Sequence, residues 1–189
     1  RDITRQKQSE QALQAANLEL QRLAHLDGLT QLANRRRFDE YLAQEWLRLR
    51  RERSPLAMIV CDVDHFKAYN DRYGHQAGDD CLKKIAQALT QVVRRPADLA
   101  ARYGGEELAI ILPNTDESGA IHVAQQIQSA IAQLRIPHEA STISDSITIS
   151  MGIACMVPSG LRPPDDLFAA ADRALYTAKA NGRDRYCTV

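Results

Sequence analysis

An unbroken apolar run, Leu56-Ala57-Met58-Ile59-Val60-Cys61, stops at Asp62-Val63-Asp64 and decides the architecture of this chain. The run is too short for a helix and shows no polar alternation, so it reads as a strand buried on both faces. Pro55 separates it from the segment upstream. A strand apolar on both sides needs a packed layer above and below, which calls for helices on both faces of a sheet. Hydrophobic residues make up 44% of the 189, enough to build such a core.

The neighbouring segments supply those layers. A helix is expected from about Asn34 to Arg53, with Phe38, Leu42, Trp46 and Leu49 along one face. After Asp64 come a short helix around Phe66 to Tyr73 and a longer one from about Gln76 to Val93. Asp98 to Tyr103 and Glu107 to Leu112 read as strands joined by Gly104-Gly105-Glu106, the pattern of a β-hairpin turn. Asp116 to Leu134 is amphipathic, with Ala120, Val123, Ile127, Ile131 and Leu134 inward. Ile147 to Val157 alternates and is rich in β-branched residues, so it reads as a strand. Pro163-Pro164 opens a last helix to Asn181, Gly182 stops it, and Arg185 to Val189 adds a short edge strand. After the first two helices the order is β, α, α, β, β, α, β, α, β. That order predicts an α/β sandwich with a mixed, largely antiparallel sheet.

Residues 1–24 stand apart. They lack Gly and Pro and are rich in Gln, Glu, Ala and Leu, so they form a helix. Leu13, Ala16, Leu20 and Leu23 give a coiled-coil seam that fades upstream at Gln6 and Ser9. Polar elsewhere, this helix has little use as a core element, and pairing with a second copy is expected. The division is therefore 1–24, a linker helix, and 25–189, one domain of ordinary size.

Lys plus Arg and Asp plus Glu number 24 each, so the net charge is zero. That argues against a nucleic-acid binder, which needs a broad basic surface. Cys61, Cys81, Cys155 and Cys187 form no C-x-x-C pair and read as reduced thiols in a cytosolic setting. No apolar run approaches the ~20 residues of a membrane span. The opening Arg1-Asp2-Ile3-Thr4 carries no Met. The expectation is a cytoplasmic piece of a longer protein whose other part can hold a sensor or a membrane attachment.

Two acidic groups fall where chemistry is most often placed. Asp62 and Asp64 lie where the buried strand emerges, and Glu106 and Glu107 lie at the tip of the glycine hairpin. Adjacent strands would bring them together, and carboxylates so gathered repel one another unless a cation intervenes. Hard oxygen ligands suit Mg²⁺, which takes one or two carboxylates together with substrate phosphates. Gly104 and Gly105 would let backbone approach a ligand closely. On these residues alone, a metal site and a solvated acidic strand end stand equally open.

Arg102-Tyr103-Gly104-Gly105-Glu106-Glu107-Leu108 resembles the signature of the GGDEF family. Asp27-Gly28-Leu29-Thr30-Gln31-Leu32-Ala33-Asn34-Arg35-Arg36 resembles its N-terminal motif. Asp62-Val63-Asp64-His65-Phe66-Lys67-Ala68-Tyr69-Asn70-Asp71 and Tyr73-Gly74-His75-Gln76-Ala77-Gly78-Asp79 resemble its metal and guanine segments. Ala178-Lys179-Ala180-Asn181-Gly182-Arg183 resembles its C-terminal motif, and the likeness holds in order and register from 25 to 187.

The resemblance implies a palm-like fold, similar to nucleotidyl cyclases and polymerases, and a diguanylate cyclase that condenses two GTP into cyclic di-GMP with loss of pyrophosphate. Position by position, it implies that Asp62, the Val63 carbonyl and Glu106 hold Mg²⁺ (or Mn²⁺), and that Glu106 or Glu107 accepts the proton. It makes Lys67 a stabiliser of phosphate charge and the amides of His65 and Phe66 a cradle for the β- and γ-phosphates. Asn70 and Asp79 would read guanine, whose N1–H and amine are paired donors matched by a carboxylate. His75 falls at a substrate position, Leu29 and Leu82 at apolar positions around the base, and Lys179 and Arg183 at phosphate contacts. For these two cations, stabilisation of a helix C-terminus is an equally good reading.

Arg95-Pro96-Ala97-Asp98 resembles the family's R-x-x-D site, where product would bind and inhibit, with Arg102 as a further contact. One such domain holds one GTP, so the resemblance implies a homodimer. The first residues resemble the exit of a PAS sensor, which would act through the coiled coil. Leu108 stands in place of the family's Phe, Glu106 in place of its Asp, and Cys61 where Phe is frequent. None of these removes a ligand. The rival readings are a catalytically silent cyclic di-GMP receptor using Arg95 and Asp98, a pure dimerisation module, and a cyclase of another nucleotide.

Overall fold

The computed structural model describes residues 2–189; Arg1, the first residue of the segment likened to a sensor exit, lies outside the described residues. The elements are α1 (Asp2–His25), α2 (Arg35–Glu52), β1 (Leu56–Val63), α3 (Phe66–Tyr73), α4 (His75–Val92), β2 (Leu99–Gly104), β3 (Glu107–Pro113), α5 (Glu117–Leu134), β4 (Ile149–Met156), α6 (Asp165–Ala180) and β5 (Tyr186–Thr188). This is the predicted order.

The five strands form one sheet in the order β2-β3-β1-β4-β5. β1 lies at its centre, antiparallel to both β3 and β4, and only β5 runs parallel to its neighbour. The sheet is therefore mixed and largely antiparallel, the palm-like arrangement expected. The alternation of β1 divides the core. Ala57, Ile59, Cys61 and Val63 pack towards α3, α4 and α5, while Leu56, Met58 and Val60 pack towards α2 and α6. The unbroken apolar run from Leu56 to Cys61 follows from that double burial, and Asp62 breaks it where β1 emerges.

Local signals account for the helix boundaries. Asn34 caps α2 by accepting from the Arg37 amide, and Asp116 caps α5 by accepting from the Gly119 amide. On α5, Ala120, Ala124, Ile127 and Ile131 are buried, whereas Val123 and Leu134, expected inward, are half-buried at the margin. β4 meets α6 so closely that a Cβ on Gly152 would lie 2.0 Å from the Ala171 carbonyl oxygen and 2.2 Å from the Leu175 nitrogen.

α1 buries none of its residues. Leu13, Leu20 and Leu23 of the seam are 63%, 63% and 69% exposed, so none of the described residues covers it. Among the described residues, no helix is long and apolar enough to cross a membrane. All four cysteines are free, as expected.

Candidate active site

The pairing of β1 with β3 brings the two acidic groups together. Asp62 at the end of β1 lies directly across from Glu107 at the start of β3. Between β2 and β3 the turn is made by Gly105, at φ 45, and Glu106. The register slips between Arg102 and Gly104, which marks a local bulge at the turn.

Asp62 is the electrostatic centre of this end. Its carboxyl is pushed up to about 6, first by burial and then by the negative charges of Glu106 and Glu107. Lys179 opposes the shift, with its ammonium 3.1 Å from the Asp62 carboxylate. A cation is thus already drawn to the oxygen atoms that the resemblance gives to a metal. Among the described residues, no three His, Cys, Asp or Glu side chains gather as a metal-ligand cluster. The expected set needs none, because its donors are Asp62, Glu106 and the main-chain carbonyl of Val63. Hard oxygens with excess negative charge fit Mg²⁺ or Mn²⁺.

Asp64 corrects the sequence reading. It does not join Asp62 and the hairpin acids. It is 2% exposed and accepts from Ser150 Oγ at 2.6 Å, Thr148 Oγ1 at 2.8 Å and the Asp184 amide at 3.1 Å. Its carboxylate ties β1 to β4 and to the segment after α6, so its role is architectural.

His65 leads into α3 in the left-handed region, at φ 53 and ψ 34, with no side-chain cap on the helix. The first amides of α3 therefore lack both intrahelical and side-chain partners, as a phosphate cradle requires. Lys67 projects from the first turn and is exposed. One turn on, Asn70 Oδ1 is buried without a hydrogen-bond partner. The room for Asn70 comes from Gly78 on α4, where a Cβ would lie 1.8 Å from Asn70 Oδ1. Asp79 is half-buried beside Gly78, and exposed His75 opens α4. Leu82 is buried and Leu29 half-buried in one apolar cluster. A buried amide oxygen without a partner, set against Gly78, is an acceptor left open to a polar ligand.

The hairpin is fastened from outside. Arg102 Nε donates to the Gly105 carbonyl at 2.8 Å, and Arg102 Nη1 pairs with Asp27 at 3.3 Å. Asp27 also accepts from the Thr30 amide at 2.8 Å and the Thr30 hydroxyl at 2.7 Å. The main chain of Ala33 bonds to Ala100 and Arg102 along the edge of β2. The segment after α1 is thereby anchored to the turn. No role had been assigned to Asp27; an Asp three residues before a Thr across a glycine is the signal of a self-bonded turn.

Arg95 and Asp98 lie at the opposite end of β2. Arg95 donates to Thr115 Oγ1 at 3.0 Å and the Pro113 carbonyl at 3.1 Å, and it stands 3.8 Å from the Asp98 carboxylate. Burial raises the Asp98 carboxyl against the pull of Arg95, and Asp98 Oδ1 is buried with no hydrogen bond. Arg102, expected as a further contact there, is committed to Asp27 and the hairpin instead. Lys179 stands on Asp62 at the end of α6. Arg183 follows Gly182 in a left-handed turn, with φ 64.

The family model for "Diguanylate cyclase, GGDEF domain" matches residues 24–185. A curated relative, the diguanylate cyclase DgcP of Pseudomonas aeruginosa, is 41% identical over 90% of this chain and 25% of its own length. The chain spans between a quarter and about half of the length of the curated relatives it matches. A solved structure of the coiled coil and GGDEF domain of DgcB from Caulobacter crescentus, in complex with c-di-GMP, superposes with a TM-score of 0.88 at 31% identity. That match covers 99% of this chain and 97% of the other. The active GGEEF domain of a diguanylate cyclase from Vibrio cholerae gives a TM-score of 0.73 at 35% identity, covering 84% of this chain and 97% of the other. With the acids, the glycine turn and the helix starts in one place and the family model running across nearly all of the chain, this protein belongs to the GGDEF-domain diguanylate cyclase family.

Proposed function

We propose that this domain condenses two molecules of GTP into cyclic di-GMP and pyrophosphate, with Mg²⁺ or Mn²⁺ held by Asp62, the Val63 carbonyl and Glu106. The observation that carries the reading is the β1–β3 pairing, which sets Asp62 across from Glu107 beside the glycine turn. When bound, the divalent ion supplies charge neutralisation on the phosphates and promotes ionisation of the ribose 3′-hydroxyl. The chain does the rest. The amides of His65 and Phe66 hold the β- and γ-phosphates, and Lys67 offsets the charge that builds as the 3′-oxygen attacks the α-phosphate. Lys179 and Arg183 add cations at the phosphates. Asp79 and Asn70 read the guanine edge, His75 stands at the substrate position beside them, and Leu29 and Leu82 form the apolar wall. Glu106 or Glu107 takes the 3′-hydroxyl proton.

One domain binds one GTP, so two domains must face each other. The exposed seam of α1 supports a homodimer held by a coiled coil, with an upstream PAS-like sensor altering the pairing. Arg95 and Asp98 form the inhibitory product site, where the guanidinium meets guanine O6 and N7 and Asp98 accepts from the other edge.

The reading is tested by incubating the purified chain with GTP or ATP, with Mg²⁺ or a chelator, and separating the products. Cyclic di-GMP from GTP with Mg²⁺ alone is expected. Asp79→Ala should bind GTP roughly ten-fold more weakly and lose preference over ATP. An Asp79→Ala protein that keeps its preference contradicts the guanine assignment.

A further inference from the structure

The loop between α5 and β4, residues 135–148, carries none of the expected site residues, yet it is fastened to α3 at several points. His138 is 1% exposed, and its Nε2 lies 3.1 Å from the His65 carbonyl oxygen. A carbonyl only accepts, so Nε2 carries the proton and donates. The His138 ring stands edge-on to Tyr69, with centroids 5.2 Å apart. Thr142 Oγ1 lies 3.4 Å from His65 Nε2. The Glu139 amide donates to Tyr73 Oη at 3.0 Å, and the Glu139 carboxylate pairs with Arg72 at 2.7 Å. The loop is itself held, because the His138 amide donates to the Asp145 carbonyl at 2.7 Å.

Two of these contacts, from His138 and Thr142, meet at His65, while those of Glu139 hold the far end of α3. His65 occupies a left-handed conformation that a residue with a side chain keeps only where its surroundings over-determine it. Its carbonyl accepts from the Tyr69 amide within α3 and from His138 across the gap. His138 Nδ1, in turn, is buried without a partner. An unpaired buried acceptor is unfavourable, so packing alone would be better served by a phenyl ring against Tyr69. The distinctive contribution of His138 is its Nε2–H.

We propose that His138 is a positioning residue for the substrate phosphates: its N–H bond to the His65 carbonyl holds the left-handed turn that sets the first amides of α3, while Glu139 and Thr142 brace the same turn and helix. This rests on the reading of α3 as the GTP-binding helix.

His138→Phe keeps the ring and its contact with Tyr69 and removes the N–H. The KM for GTP and the Kd of a fluorescent GTP analogue should both rise about five- to ten-fold, with kcat within about two-fold and Tm near the parent's. His138→Gln, whose amide reaches the Nε2 position, should restore most of the affinity. A merely structural role would lower the folded fraction and the apparent kcat at unchanged KM. That outcome, or unchanged KM and Kd, overturns the proposal. If His138→Phe does not fold, Tyr73→Phe carries the test by removing the acceptor of the Glu139 amide. A KM rise of about two-fold is then expected, and an unchanged KM overturns the proposal. A parent chain that binds no GTP analogue would overturn the reading of α3 itself, and the proposal with it, so the two failures are told apart.

Discussion

Single side chains decide whether the site can form. Gly78 is the clearest case, because it sits on a helix, where alanine is the better former by about 1 kcal/mol. Gly78→Ala should therefore keep or slightly raise Tm. Its methyl group would displace the Asn70 side chain, 1.8 Å away, and raise the KM for GTP roughly three- to ten-fold. Enzyme assay beside a melting curve separates the two effects. Asp27 shows the opposite balance. Burial pushes its carboxyl up, but bonds from the Thr30 hydroxyl and amide and the charge and bond of Arg102 outweigh it, and the group titrates below its usual value. A depressed carboxylate stabilises the fold above its unfolded pKa, and that contribution is lost as pH falls through the folded value. Asp27→Ala should cost about 1–3 kcal/mol at pH 7, from lost charge-assisted bonds. The deficit should shrink on acidification below the ordinary Asp value of about 3.9. Denaturant titrations at the two pH values check this. Two of the three departures from the family pattern are tied together: Cys61 and Leu108 are cross-strand partners, both buried, beneath the acidic end.

At the scale of elements, the succession of strands and helices along the chain was legible because β1 carries an unbroken apolar run from Leu56 to Cys61 and the hairpin glycines are adjacent. Asp62, Glu106 and Glu107 were legible as neighbours for the same reason, since a strand end and a hairpin tip on adjacent strands must meet. Asp64 was not, because its partners Thr148, Ser150 and Asp184 come from segments more than 80 residues away and carry no local signal. The ion pair of Lys179 with Asp62 and the loop of His138 were hidden likewise, being products of tertiary packing. Arg102 was misplaced because sequence gives proximity along a strand but not the end to which a long side chain turns. The contact of β4 with α6 is equally non-local. Gly152→Ala would drive a methyl into the main chain of α6 at Ala171 and Leu175, so about 3 kcal/mol or more of stability should be lost. Chemical denaturation measures that loss, and a parental midpoint would contradict the packing described.

For the whole molecule, the exposed seam of α1 and the two GTP of the proposed reaction both call for a pair of chains. A coiled coil converts the meeting of two domains into an intramolecular event with an effective concentration on the order of millimolar. Removing residues 1–24 should lower the rate most at low protein concentration, and an unchanged rate across concentrations would contradict a tethered pair. The central claim is that two GTP are joined at the junction of β1 and the hairpin. The most direct measurement compares the parent with Glu106→Ala in GTP and Mg²⁺, with products separated chromatographically and GTP binding followed in parallel. The account predicts cyclic di-GMP from the parent and none from Glu106→Ala, which still binds GTP. Product from Glu106→Ala at the parental rate, or none from the parent at high concentration after bound cyclic di-GMP is removed, would contradict it.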